Sequence, residues 1–262
     1  MGSILNPKTA VAVAQLALLF AAPPLQAQIR FLPFGEISPQ AKTRDELDAV
    51  GRVCDEADSE VVIRLARAFI RDYPESGFRE FVDISLLHSY EQTRDAPHVR
   101  ETAETILRLN PESVDALLAL SAYRLEHTEP GAATPGLLSA REYAQHALER
   151  IRRIKTPVTA NRQQWVATKK SFLGKAYLYL GLAAVQEKKL DEGLQHLIAA
   201  TEFDPQGSYF YRLAALYEAR GSYTEALESA ERAKQLGPEL VTRLAERQIA
   251  RLRSRTKEPA KR

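Results

Sequence analysis

The sequence predicts an all-α protein built from stacked antiparallel helical hairpins. Three observations predict it. From Thr43 onward no stretch alternates apolar and polar residues with period two, and Ala, Leu, Glu, Arg and Gln dominate. Apolar residues recur instead at i, i+3, i+4 and i+7, as at Phe210, Leu213, Ala214 and Tyr217. Finally, two segments align without gaps at a shift of 33 residues, so that Tyr177 maps to Phe210, Leu180 to Leu213, Gly193 to Ala226 and Pro205 to Pro238.

The chain opens on an address. In residues 1–27, Lys8 supplies a positive start and Thr9 to Ala22 run almost wholly apolar. That run is the length of a signal core and too short to span a bilayer. Pro23 and Pro24 end it, and Leu25-Gln26-Ala27 offers a small residue before a cut that leaves Gln28 first. Export to a periplasmic or extracellular space of a bacterium is the expectation. A retained N-terminal anchor is the alternative. Residues 28–42, with Pro33, Gly35 and Pro39, read as an extended lead.

Five hairpin units follow over residues 43–246. The first, about 43–74, keeps Val62-x-x-x-Ala66 and Pro74. The second has Leu86-Leu87-x-x-Tyr90, Val99-x-x-x-Ala103 and Pro111. The third starts at Leu117-x-x-Leu120-Ser121 and resumes at Ala140-x-x-x-Ala144, with a seven-residue insertion held by the loop Glu129 to Gly136. The fourth and fifth are the matched pair. Residues 158–176 extend the first helix of the Tyr177 unit backwards, with Trp165 against the preceding hairpin. Turn signals such as Tyr73-Pro74, Asn110-Pro111, Asp204-Pro205 and Gly237-Pro238 separate the units. Small residues such as Gly181, Gly193, Ala226 and Ala233 let helices approach, while Tyr177, Leu197 and Phe210 fill the spaces between hairpins.

Composition narrows the function. The 262 residues are 45% apolar and 27% charged, a globular balance, and the net charge of +2 argues against a strongly basic nucleic-acid binder. That charge is uneven: residues 247–262 hold seven Lys+Arg and one acid and read as a basic tail. The single Cys54 lies on an apolar stripe with Val50 and Val53 and excludes a disulfide framework. No nucleotide-binding glycine loop, HExxH, CxxC or GxSxG occurs, and His88, His98, His127, His146 and His196 lack ligand spacing. We therefore expect no catalytic, cofactor or metal residues. Asp191-Glu192 read as helix-start acids.

The paired units resemble the tetratricopeptide repeat. The residues that carry the resemblance are Tyr177-x-x-Leu180-Gly181, Gly193-x-x-x-Leu197 and Pro205, then Phe210-x-x-Leu213-Ala214-x-x-Tyr217, Ala226-x-x-x-Ala230 and Pro238. It covers roughly residues 43–238. It implies a right-handed superhelix, a TPR-like α-solenoid, that serves as a non-enzymatic scaffold for protein–protein contact, with first helices lining a concave groove. Subtracting the signature positions leaves Leu118, Ala122 and Leu125, then Leu178, Leu182 and Val185, then Tyr211, Ala215 and Glu218 as the partner-binding face. An apolar or amphipathic protein segment is the expected ligand, with the basic tail meeting an anionic surface and no nucleic acid or small-molecule substrate. A cell-envelope, outer-membrane assembly factor and an enzyme with an unrecognised site are the rival readings.

Overall fold

The computed structural model describes residues 41–127, 135–156 and 161–257. The expected signal peptide, nearly all of the lead and the inserted loop up to Thr134 lie outside the described residues. Among the described residues there are eleven helices and no strand. In chain order they are α1 (Arg44–Asp55), α2 (Ser59–Asp72), α3 (Arg79–Thr93), α4 (Ala96–Leu109), α5 (Val114–Glu126) and α6 (Pro135–Arg153). They continue with α7 (Arg162–Gln186), α8 (Leu190–Phe203), α9 (Gly207–Ala219), α10 (Tyr223–Leu236) and α11 (Glu239–Lys257).

Local chemistry starts these helices. Thr43 accepts from the Glu46 amide, Asp58 from Glu60 and Val61, Asp95 from His98, and Asn161 from Gln163 and Gln164, each occupying a donor that the first helical turn leaves unpaired. The turns inside three hairpins are closed by one repeated device. The amides of Asp95, Lys189 and Ser222 donate to the carbonyls of Tyr90, Ala184 and Tyr217 at 2.9, 2.9 and 3.0 Å. The residue before each amide, Arg94, Lys188 or Gly221, sits in the left-handed region with φ of 58°, 62° and 80°. This is the six-to-one bond of a helix C-cap, and it reverses the chain in the fewest residues.

Consecutive helices pack against each other along the chain, giving hairpins α1–α2, α3–α4, α5–α6, α7–α8 and α9–α10, with α11 alone at the end. Alternate helices also touch along the odd-numbered row: α1 with α3, α3 with α5, α5 with α7 and α9 with α11. That row is the tighter one, so it forms the concave side of the stack.

Within a hairpin the approach is close because the facing residues are small. A Cβ on Gly193 would stand 2.8 Å from Val185 Cγ2 and 3.2 Å from the Gly181 carbonyl, and one on Gly181 would stand 2.9 Å from Leu197 Cγ. Ala140 and Ala226 take the position of Gly193 in the third and fifth hairpins, and both are buried. Between hairpins the large side chains fill the space: Phe69 and Leu87 in the first apolar cluster, Leu117 and Ile151 in the second, Leu197 and Leu213 in the third. Cys54 packs at the edge of the first cluster, where burial pushes its thiol up to about 11. Across repeats, Arg141 of α6 forks onto Glu187 at 2.9 Å and reaches Glu192 at 2.5 Å, so the helix-start acid Glu192 also serves as a clasp.

The structure departs from the expected tail. Helix α11 runs through residue 247 without a break, and Ile249 and Leu252 bury against Ala214, Ala226 and Ala230 of the last hairpin. Two of its arginines are closely paired: Arg251 with Glu218 at 2.8 Å and Arg253 with Glu231 at 2.8 Å. Arginines spaced three to four residues from apolar ones make an amphipathic helix, and a charge count does not reveal that.

Gly193→Leu overfills the contact with Val185 and Gly181 and should cost about 1–3 kcal/mol in urea denaturation, with helical circular dichroism retained. Leu252→Ala should cost about 2–5 kcal/mol in the same assay. A loss near zero for Leu252→Ala would mean that α11 does not cap the stack.

Candidate binding groove

The concave row encloses an open groove of about 740 Å³ between the α1–α2 turn, α3, α5 and α7. Its lip is shaped by Glu56, whose carboxylate accepts from the Ala57 and Asp58 amides at 2.8 and 2.9 Å, and by Ser59, which donates to Gln92 at 2.5 Å. From α3 come Ser85, His88, Ser89, Glu91 and Gln92, and from α5 Asp115. The α7 wall is Gln164, Thr168, Ser171 and Lys175, spaced by four, three and four residues and so on one face of the helix. Val62, Ala57, Ala167 and Phe172 supply the apolar part.

The charges are arranged around one pair. His88 Nε2 lies 3.0 Å from Asp115 Oδ1. Burial works against the imidazolium, but the hydrogen bond and charge of Asp115, together with Glu91, outweigh it and hold the His88 pKa above its usual value. Burial likewise raises Glu91, against the pull of His88 and Lys175. Tyr179, deeper along α7, is raised by burial and by the Glu91 charge. The side chain of Gln164 has a buried Oε1 with no hydrogen-bond partner among the described residues.

The groove is polar where an apolar face was expected. Leu118, Leu125 and Leu178 are buried in the apolar clusters and are not available to a partner. Leu182 is half-buried against Leu125 and Ala140, and Val185 rests on Gly193. Ala122 and Tyr211 are half-buried and Ala215 is exposed, but none of the three borders the groove. The Glu218 carboxylate accepts two bonds from Arg251, which holds its pKa below the usual range. The correction has a simple cause. Leu178 and Leu182 continue the line of Ser171 and Lys175 along α7, yet at that level α5 and α9 close over the helix. The groove-lining stripe Gln164, Thr168, Ser171 and Lys175 thus lies on the same face of α7 as Leu178 and Leu182, nearer the start of the helix; nothing in the sequence paired His88 with Asp115.

Among the described residues no three His, Cys, Asp or Glu side chains gather to hold a metal, and no helix is long and apolar enough to cross a membrane.

Stacked hairpins around an open groove define a helical-repeat solenoid. No protein-family model matches the sequence, and no curated protein does. Solved structures do match. TTC0263, a thermophilic TPR protein of Thermus thermophilus, is similar with a TM-score of 0.54 at 16% identity, over 79% of this chain and 94% of that one. The APC/C hetero-tetramer Cut9–Hcn1 gives a TM-score of 0.51 at 13% identity, over 79% of this chain but only 42% of the other. The chain therefore has the tetratricopeptide-repeat fold.

Because the His88 pKa is raised on folding, its pair with Asp115 stabilises the fold fully below the unfolded value of about 6.5 and less as pH rises through the folded one. His88→Gln should accordingly lose more stability against the unmodified chain at pH ~6 than at pH ~9. Equal losses at both pH values would show that the pair carries no charge.

Proposed function

We propose that the protein is a non-enzymatic scaffold that holds a segment of another protein in the α1–α2/α3/α5/α7 groove. The observation that carries this reading is the groove itself. It is open along the stack and lined by side chains that bond peptides. Such a trough suits an extended or helical segment. Its mixed lining, acids Glu91 and Asp115 beside Lys175 and small apolar patches, favours an amphipathic segment over a purely apolar one.

A hydrolytic reading of the His88–Asp115 pair is not favoured by the groove serines, and Ser171 donates to Asp204 at 3.1 Å. Ser85 and Ser89 donate to the carbonyls of Phe81 and Ser85 in their own helix, and Ser59 donates to Gln92, so these groove hydroxyls are turned away from the imidazole. The proposal includes export, on the strength of the apolar run from Thr9 to Ala22. N-terminal sequencing of native protein is expected to begin close to Gln28, and a product starting at Met1 sinks that part.

A random peptide library selected on the full chain tests the groove. Ala167 is exposed and borders the groove, so Ala167→Trp fills it without touching the core. The selected peptides should bind the folded variant at least about tenfold more weakly. Undiminished binding would move the site elsewhere.

A further inference from the structure

In α11, Arg251 and Arg253 of the basic C-terminal stretch are paired with Glu218 and Glu231, and a second concentration of positive charge lies at the junction of α6 and α7. Residues 149–170 carry seven Lys+Arg and one acid, Glu149. Lys169 knits the junction: its Nζ donates to the Ile154 carbonyl at 2.9 Å and reaches the Arg152 carbonyl at 3.4 Å, where the end of α6 needs donors. Arg150 pairs with Glu112 at 3.1 Å, Arg152 donates to the neutral Tyr177 hydroxyl at 2.6 Å, and Glu149 is engaged by Arg153 at 3.1 Å. Lys155, Arg162 and Lys170 are exposed, and among the described residues no carboxylate pairs with them. Val166 stands between Arg162 and Lys170, one helical turn from each, and is 45% exposed.

The reason for this exposure is the length of α7. It has 25 residues where its hairpin partner α8 has 14, and Gly174 of α7 already lies against Asp204 at the end of α8. The turns before Gly174 therefore overhang, with one face in the groove and the opposite face uncovered.

We propose that this uncovered face docks on an anionic membrane surface. A spread of long cationic side chains around one exposed aliphatic residue matches a bilayer headgroup region, where each cation meets phosphate and the apolar group settles among the headgroups. An acidic peptide would want a trough, and the trough lies on the other side of α7. Single-stranded nucleic acid would want an open aromatic to stack on, and Trp165, the aromatic residue of this stretch, is buried. The proposal is independent of what the groove holds.

The test is co-sedimentation of the full chain with phosphatidylcholine vesicles, with and without phosphatidylglycerol. Dependence on headgroup charge is the readout, because the apolar run from Thr9 to Ala22 would engage neutral and anionic bilayers alike. We expect binding that strengthens markedly with phosphatidylglycerol and loses that gain as salt rises. The triple variant Lys155→Glu, Arg162→Glu, Lys170→Glu should bind at least about tenfold more weakly, with unchanged helical circular dichroism. Should charge reversal disturb folding, the same three positions changed to Gln, together with the salt titration of the unmodified chain, decide the question. Equal binding to both vesicle types, or unchanged binding by the folded variants, overturns the proposal. So does tighter binding to polyglutamate or to an oligonucleotide than to the anionic vesicles.

Discussion

The close approach of the two helices in each hairpin is the constraint on which the rest of the structure depends. Gly181 and Gly193 bring α7 and α8 to a distance at which neither position accepts a Cβ without displacing its neighbour. Buried Ala214 and Ala226 hold the same two positions in the last hairpin. Small contacts inside a hairpin leave the large side chains free to interlock between hairpins, which is what makes the units stack. The repeated C-cap at Arg94, Lys188 and Gly221 then sets each reversal at the same point relative to the packed face. Two of those left-handed positions carry side chains that ordinarily disfavour them, so the turn is imposed by helix pairing rather than by the residue in it.

Local signals exposed the fold because each hairpin repeats a local rule. The gapless match of Tyr177–Pro205 with Phe210–Pro238 reports the same helix lengths, the same small residues and the same turn twice. The backward extension of α7 to Arg162 was legible for a similar reason, since Asn161 caps it and no proline interrupts residues 162–186. The site was far less legible. Whether Leu178 faces a partner or the protein depends on how far α9 reaches across α7, which is a property of the superhelix and not of either helix. The His88–Asp115 pair joins residues on helices of two successive hairpins, and no periodicity links them. Charge was misleading for the same reason: Arg251 and Arg253 are ordinary basic residues until α9 and α10 present Glu218 and Glu231 to them.

Polar side chains in the groove and apolar ones between the hairpins answer different demands. The apolar clusters exclude water and hold the stack, while the groove keeps Glu91, Lys175 and the His88–Asp115 pair within reach of solvent. A buried apolar groove wall would have competed with the stacking contacts for the same leucines. The polar wall avoids that competition, so groove residues can change without loosening the hairpins.

The overhang of α7 has a directional consequence. A helix is a stiff rod with no hinge, and about 100° of rotation per residue separates its faces. Thr168 and Ser171 therefore point to one side and Val166 and Lys170 nearly to the other. Any surface that seats the second pair leaves the mouth of the groove aimed away from it, like a socket mounted on the far side of a bracket. The alignment of cargo with respect to a supporting surface would then be set by the phase of one helix rather than by a tether.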